Sequence, residues 1–267
     1  MGKTILFDNK KISISIEGEG PSVVLLHGYL ESKEIWEETA QFLKKNFKVI
    51  AVDLPGHGET EVFSEVHTME LMADIVHYSL NIEGIHKFVL LGHSMGGYVS
   101  LAYAEKYPEK LLGLGLIHSS PYADTEEKKD NRIREIDLIK KGKKDMIFSL
   151  SIPNLYANDN HVSMKNRIDF SMKIAMQTSV EGICAALEGM KQRPERLNVI
   201  KNINKPVLMI IGEKDNLIPS GILIQLAEEH ENIKEVVFLK SGHMSFFEEK
   251  QKFLFETEKF INFILSI

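Results

Sequence analysis

The sequence of 267 residues has little of several features that define other classes of protein. It contains a single cysteine, Cys184, so no disulfide can form within the chain and a cysteine-rich zinc site is excluded. No stretch reaches the roughly 20 apolar residues that a membrane span needs. The start of the chain also has no apolar run typical of a signal peptide. We therefore expect a cytoplasmic protein with no membrane partner.

Basic residues are not concentrated in one block. The chain has 32 Lys and Arg against 38 Asp and Glu, so its formal net charge is −6 and a nucleic-acid partner is not expected. The 43% of hydrophobic and 26% of charged residues are those of an ordinary globular protein. No two histidines form an H-x-x-x-H pair. Neither a metal nor an organic cofactor is therefore expected.

Short apolar runs alternate with helical patterns along most of the chain, which is typical of a mostly parallel sheet flanked by helices. Most of these runs are continuous in Val, Ile and Leu, which indicates strands buried on both faces. The pattern predicts a doubly wound α/β core with eight strands, the first two forming an antiparallel hairpin. The predicted strands cover residues 4–7, 11–16, 22–26, 48–52, 87–91, 111–117, 206–211 and 235–239.

Helices are predicted between these strands and at the end of the chain. The last one is expected to begin at Ser245, because Ser245-Phe246-Phe247-Glu248 has the spacing of a capping box. Its apolar positions would pack on the sheet. The other predicted helices of the core cover residues 34–44, 69–80, 96–106 and 219–229.

Residues 121–195 depart from the alternation, because they contain helical patterns but no convincing strand. These patterns cover residues 125–141 and 163–178, and a third opens with the capping-box spacing of Thr178 and Glu181 and runs to Met190. A loop of this length without structure would be unusual. We therefore predict an all-helical subdomain of residues 121–195, here called the insertion, after strand six. The core then comprises residues 1–120 and 196–267.

A candidate nucleophile stands at the end of the fifth strand. Gly92-His93-Ser94-Met95-Gly96 has the pattern G-x-S-x-G between a strand and a helix, which is the context that a nucleophile elbow requires. An abrupt turn strains the serine and is tolerated only where the residues two before and two after it are small. The pattern predicts Ser94 as a nucleophile, and the alternative is a glycine-rich turn without chemistry.

A serine hydroxyl needs an adjacent base, which a carboxylate usually orients. His243 follows the last strand and Asp215 follows the seventh, so the chain order is serine, acid, histidine. All three lie after the carboxyl ends of strands, where α/β proteins bind ligands. Glu213 is the rival acid, but Asp215 lies farther beyond the strand end. The alternatives are an ordinary loop histidine and an ordinary turn residue.

The developing oxyanion would need two donors, one from the residue after the nucleophile and one from the loop after strand three. The backbone N–H groups of Met95 and Tyr29 are in these positions, and the flexible Gly28 would let the Tyr29 amide turn toward the serine. His27 is interpreted as a structural residue of this loop.

Taken together, these segments resemble the α/β-hydrolase fold family over nearly the whole chain outside the insertion. The resemblance implies that Ser94 is the nucleophile, His243 the base and Asp215 its orienting acid. It also implies that the insertion is a cap over the active site. The motifs that carry it are His27-Gly28, residues 53–58, residues 92–97, residues 212–215 and Gly242-His243.

The resemblance implies acyl transfer to water through an acyl-enzyme, without a cofactor. Our hypothesis is a serine hydrolase that cleaves a small or medium, largely apolar carboxylic ester. The alternatives are a carbon–carbon bond hydrolase, a lactonase or perhydrolase, a lyase like that of the menaquinone pathway, a small-ligand receptor with slow turnover, and an inactive scaffold. A small-molecule substrate is the only partner expected, and the sequence indicates no oligomeric state.

The insertion is rich in methionine, which suggests an adaptable apolar wall for the substrate. We predict that Phe148, Met172 and Met176 line the substrate pocket together with Tyr29. The alternative is that these side chains only hold the helices of the insertion together. Cys184 is interpreted as a small buried hydrophobic residue rather than a reactive thiol.

Overall fold

The computed structural model describes residues 2–267, and its centre is one eight-stranded sheet. Every predicted strand is present, and its ends lie within two residues of the predicted ones, which confirms the α/β fold class. The strands are β1 (Gly2–Phe7), β2 (Lys10–Glu17), β3 (Ser22–Leu26), β4 (Lys48–Val52), β5 (Phe88–His93), β6 (Leu111–Ile117), β7 (Val207–Gly212) and β8 (Ile233–Phe238).

The strand order is β1-β2-β4-β3-β5-β6-β7-β8. The pairs β1–β2 and β2–β4 are antiparallel, and the pairs from β4 through β3 to β8 are parallel. After β4 the chain crosses back over β3, so the direction of winding reverses between β3 and β5. Such a reversal opens a crevice at the carboxyl ends of the strands. Both strands end there in segments that the sequence analysis singled out, His27-Gly28 and the serine turn.

Helices cover both faces of the sheet. Successive residues of β3 show why its apolar run is continuous, since Val24 and Leu26 belong to one hydrophobic core while Val23 and Leu25 belong to the other. The helices are α1 (Glu37–Leu43), α2 (Met69–Ile82), α3 (Met95–Lys106), α4 (Glu126–Lys140), α5 (Lys144–Ser151), α6 (Lys165–Gln177), α7 (Val180–Gln192), α8 (Leu197–Asn202), α9 (Ser220–Glu228), α10 (Ser245–Glu248) and α11 (Lys250–Ser266).

The prediction of one last helix with a capping box at Ser245 is wrong. The backbone leaves the helical region at Glu249, which separates α10 from α11. Ser245 cannot cap because its Oγ lies 2.7 Å from His118 Nε2. The Glu248 carboxylate is likewise engaged elsewhere, since it accepts hydrogen bonds from the Gly242 and Met244 backbone N–H groups.

Helices α4 to α7 make up most of the insertion, and no strand lies between residues 121 and 195. The sequence analysis missed α5, and it placed the cap of α7 one residue early. The cap is Ser179, whose Oγ accepts from the Gly182 N–H at 3.0 Å. Ile136, Ile139 and Ile183 belong to the same hydrophobic core as the sheet, so the division into two domains stays a prediction.

Among the helices of residues 2–267, none combines the length and the apolar character that crossing a bilayer would require.

Candidate active site

Ser94 occupies a strained turn between β5 and α3, with φ +50° and ψ −115°. Non-glycine residues rarely adopt a positive φ, and they do so mainly at functional sites where the surroundings hold them. The turn is held from β6 and its following loop, because the Ser94 N–H donates to the Ile117 carbonyl and the Ser119 hydroxyl donates to the Ser94 carbonyl. The strain predicted from the motif is therefore present at Ser94.

The two glycines that flank this turn leave no room for a side chain. A Cβ on Gly92 would overlap the Gly96 carbonyl oxygen. A Cβ on Gly96 would lie 2.5 Å from the Leu26 carbonyl oxygen at the end of β3. The close approach of α3 to the sheet therefore requires glycine at both positions.

His243 and Asp215 meet at the same edge of the sheet. The His243 Nδ1 lies 2.7 Å from Asp215 Oδ2, and both side chains are 2% exposed. The other carboxylate oxygen of Asp215 accepts from the Leu217 and Ile218 N–H groups, which fixes the acid at the start of its loop. Glu213, the rival acid, is exposed.

The pKa values of this pair are shifted in opposite directions. Burial alone would lower the pKa of His243, but the adjacent Asp215 carboxylate outweighs it and the pKa is raised above 6.5. Burial alone would raise the pKa of Asp215, but the facing His243 ring lowers it far below the usual range. Asp215 is therefore charged at neutral pH and favours positive charge on the imidazole.

The remaining ring nitrogen of His243 is available for chemistry. His243 Nε2 is buried and makes no hydrogen bond to the described residues. Ser94 and His243 line one cavity of about 270 Å³. The geometry thus combines an oriented imidazole, a free Nε2 atom and an accessible serine in one space, as general-base activation of a hydroxyl requires.

The loop after β3 holds the peptide that carries the Tyr29 N–H. His27 Nε2 accepts from the Leu54 N–H at 2.9 Å, so the ring proton is on Nδ1, which donates to the Gly28 carbonyl at 2.7 Å. This hydrogen bond fixes the Gly28–Tyr29 peptide, as the structural interpretation of His27 requires. Neither the Tyr29 N–H nor the Met95 N–H donates to another described residue.

Two kinds of surface line the cavity. Its apolar side comes from the loops of the core and from the insertion, and comprises Leu30, Ile152, Leu155, Met190, Leu217 and Ile218. Its polar side is one face of α4, where the spacing of i, i+3, i+4 and i+7 brings four side chains to the cavity. These side chains are Lys128, Asn131, Arg132 and Glu135.

Comparison with known proteins agrees with this architecture. The family model described as "alpha/beta hydrolase fold" matches residues 21–137 and 178–250, which is more than half of the chain. The chain belongs to the α/β hydrolase fold family. The internal gap of the match, residues 138–177, lies within the insertion. The matched residues include the strands from β3 to β8, most of α4 and all of α7.

Two curated relatives of this α/β hydrolase are named as pimeloyl-[acyl-carrier protein] methyl ester esterases. The one from Vibrio parahaemolyticus is 29% identical over 91% of this chain and 95% of its own. The one from Legionella pneumophila (strain Lens) is 28% identical over 94% of this chain and 99% of its own.

Solved structures resemble the whole chain. A thermophilic esterase from Thermogutta terrifontis superposes with a TM-score of 0.92 at 28% identity, covering 99% of both chains. An enol-lactonase from Burkholderia xenovorans gives a TM-score of 0.89 at 19% identity, covering 99% of this chain and 100% of its own. The second likeness shows the fold alone.

The predicted substrate-binding residues of the insertion lie away from the cavity of this hydrolase. Tyr29 lines it, but Phe148, Met172 and Met176 do not. Phe148 is fully buried in the hydrophobic core and Met172 packs against that core, whereas Met176 is 37% exposed. Methionine enrichment therefore does not identify the cavity wall, and Met190 is the methionine of the insertion that reaches the cavity.

Cys184 also lies outside the cavity lining, and it is half-buried rather than buried. Burial raises the pKa of its thiol, which disfavours the reactive thiolate.

The sequence analysis missed His118, which follows β6 at the same sheet edge. Its Nδ1 lies 3.5 Å from Asp215 Oδ2, and its Nε2 accepts from the Ser245 N–H at 3.3 Å. Burial lowers the pKa of His118 to about 4, so the ring is neutral at pH 7 with its proton facing Asp215. Its position directly after a buried parallel strand was the signal that could have revealed it.

His118, Asp215 and His243 each place one metal-ligand atom within 4.8 Å of the others. These atoms already contact one another, since Asp215 Oδ2 accepts from His243 Nδ1 and faces His118 Nδ1. A cation between them would have to displace the protons on both Nδ1 atoms, which would break the orientation of His243.

Proposed function

We propose that this α/β hydrolase cleaves carboxylic esters with a Ser-His-Asp triad, in which Ser94 is the nucleophile, His243 the general base and Asp215 the orienting acid. One observation carries the proposal. The hydrogen bond from His243 to Asp215 leaves a free Nε2 atom in the cavity that also contains the strained Ser94. The protein is an ester-acting hydrolase, in agreement with relatives and solved structures that are named as esterases.

The first half of the reaction would form an acyl-enzyme. His243 Nε2 takes the proton of the Ser94 hydroxyl while Oγ attacks the ester carbonyl carbon. The Tyr29 and Met95 N–H groups donate to the oxyanion, since neither has another acceptor among the described residues. The tetrahedral intermediate then expels the alcohol, which receives its proton from the His243 imidazolium.

The second half returns the enzyme to its starting state. Water enters the place of the alcohol, gives a proton to His243 Nε2 and attacks the acyl carbon. Collapse of the second intermediate releases the carboxylic acid, and Oγ of Ser94 recovers its proton from His243. Asp215 stays ionised throughout and stabilises the imidazolium in both halves.

The cavity suggests a substrate with two different ends. Its volume of about 270 Å³ fits a small or medium group rather than a long chain. The apolar part of an acyl group would contact Ile152, Leu155 and Met190, whereas the face of α4 would receive a polar part. We therefore propose an ester that is apolar near the carbonyl and polar at its far end, not one that is apolar throughout.

The relatives are named for an ester attached to a carrier protein. The cavity of this chain reaches the surface beside Lys128 and Asn131, both of which are exposed. A substrate attached to a carrier would leave the cavity past these two residues.

The test is hydrolysis of nitrophenyl esters of increasing chain length by the wild type and by Ser94→Ala. We expect turnover of the shorter esters, labelling of Ser94 by a fluorophosphonate, and a loss of about 10⁶-fold in kcat in the variant. Undiminished hydrolysis by Ser94→Ala would refute the proposed mechanism. Turnover of lactones or diketones but not of esters would refute carboxylic esters as the substrate class and identify the hydrolysed compounds in their place.

A further inference from the structure

Two buried residues outside the proposed triad connect the loops that carry its groups. Glu31 lies in the loop after β3 and His93 directly precedes Ser94; their side chains are 5% and 1% exposed. Glu31 Oε2 accepts from the Gly28 N–H at 2.5 Å and lies 2.9 Å from His93 Nδ1. His93 Nε2 lies 2.9 Å from the His243 carbonyl oxygen. The loop after β3 carries the Tyr29 N–H and is here called the oxyanion loop. The chain of contacts therefore runs from the oxyanion loop through the Ser94 turn to the loop that carries His243, here called the His243 loop.

The hydrogen-bond partners of His93 indicate which of its ring nitrogens donate. A backbone carbonyl can only accept, so Nε2 must donate to His243. Burial alone would raise the pKa of Glu31, but the facing His93 ring lowers it, so the carboxylate is charged and also accepts from Nδ1. His93 thus faces an acceptor at each ring nitrogen, the Glu31 carboxylate at Nδ1 and the His243 carbonyl oxygen at Nε2.

This pair lies next to two strained residues of the site. Leu30, with φ +62°, precedes Glu31, and Ser94, with φ +50°, follows His93. Such residues keep their conformation only where the surrounding structure holds them. The packing is tight, because a Cβ on Gly28 would lie 2.8 Å from Glu31 Oε2 and 2.9 Å from His93 Nδ1.

We propose that Glu31 and His93 form a buried ionic brace that holds the oxyanion loop, the Ser94 turn and the His243 loop in one arrangement. The proposal rests on the proposed function. Neither residue lines the cavity, so both are positioning residues rather than catalytic ones. Their loss should therefore lower kcat and leave KM for small esters nearly unchanged.

The test uses Glu31→Gln, which keeps the size and an acceptor for Gly28 but removes the charge, and His93→Asn, which removes the bridge to His243. We expect each variant to lose about 100-fold in kcat, the effect of misplacing a catalytic group by roughly 1 Å. KM should change by less than about twofold. Because the two residues act as one unit, the double variant should be no slower than the slower single variant.

His77→Asn is the matched control. Both ring nitrogens of His77 are also hydrogen-bonded, at 2.9 Å to Tyr103 Oη and at 2.8 Å to Asn81 Nδ2, but the residue lies on α2 outside the cavity lining. We expect this variant to keep the wild-type kcat even where its melting temperature falls. A purely structural role of the brace predicts the same outcome for Glu31→Gln.

A second test uses the wild-type protein, so its result does not depend on whether the variants fold. NMR of ¹⁵N-histidine-labelled protein at pH 7 should show hydrogen on both ring nitrogens of His93. One ring hydrogen only, or a folded Glu31→Gln protein with kcat within twofold of the wild type, would overturn the brace. Neither result would affect the triad, because loss of activity and of fluorophosphonate labelling in Ser94→Ala tests that separately.

Discussion

The strand ends of the core and the helices of the insertion both contribute to the candidate site, but they differ in what fixes their side chains. Ser94 and Asp215 follow strands whose register is set by neighbours, with His93 opposite Ile117 and Gly212 opposite Phe238. A residue just after such a strand lies at the sheet edge whatever the loop does next. Position along the chain therefore predicts position in space.

The helices of the insertion are not aligned by pairing with neighbouring strands. The direction of each side chain depends on how the helices pack against one another and against the core. Phe148 and Met190 are both large, apolar and buried, yet only Met190 reaches the cavity. We propose that the strand ends of the core carry the chemistry of this hydrolase and that the insertion contributes most to its substrate preference.

The core should contain the substitutions that lower kcat most. After Ser94→Ala, we expect the largest loss of kcat from Asp215→Asn. An amide can no longer hold the His243 imidazole in the required tautomer, so we expect a loss of about 10⁴-fold in kcat on a responsive ester. Glu213→Gln is the control, since Glu213 is exposed two residues away, and it should be unchanged. Equal losses in both variants would contradict the assignment of the acid.

The pH profile sharpens the same prediction. The base works only when neutral, and the Asp215 carboxylate raises the pKa of His243. In the wild type, kcat/KM should therefore fall as the pH drops through a value above 6.5. In Asp215→Asn burial remains but the carboxylate is lost, so the acid limb of the residual activity should move to lower pH. A limb that does not move would mean that another group controls it.

In the insertion, Phe148→Ala should affect stability and not catalysis. Phe148 is fully buried, so removing its ring should lower the free energy of unfolding by about 3–5 kcal/mol. Leu150 on the same helix is 72% exposed, and Leu150→Ala should change it by less than about 0.5 kcal/mol. Denaturant unfolding checks both values. A raised KM in folded Phe148→Ala would support the earlier prediction that Phe148 contacts the substrate.

These differences mark how far the sequence could be interpreted. The strands, the strained serine turn and the meeting of Asp215 with His243 follow from local pattern and from the geometry of parallel strands. The roles of Glu31 and His118 did not, because a buried polar side chain is recognised by its partners, and those partners lie on other strands and loops. The residues that line the cavity could not be predicted either, because an apolar stripe on a helix shows which face is apolar but not what that face contacts.

A smaller effect separates two methionines of the insertion. Met190 is 2% exposed and lines the cavity, whereas Met176 is 37% exposed and does not. Met190→Ala removes apolar contact worth about 1 kcal/mol, so KM for a short ester should rise about fivefold. Met176→Ala should leave KM unchanged. Steady-state kinetics across the ester series checks this, and equal KM values for the two variants would mean that α7 does not contact the substrate.

The smallest expected effect concerns one of the hydrogen bonds between the core and the insertion. The Tyr29 hydroxyl donates to Glu135 Oε1 at 2.8 Å, so the oxyanion loop is tied to α4. Burial raises the pKa values of both groups, which keeps the phenol protonated. Tyr29→Phe removes this bond but keeps the backbone N–H that would bind the oxyanion. We expect kcat to fall less than about fivefold and the free energy of unfolding to fall by about 1 kcal/mol. A loss of 100-fold in kcat would instead show that the hydroxyl takes part in the reaction itself.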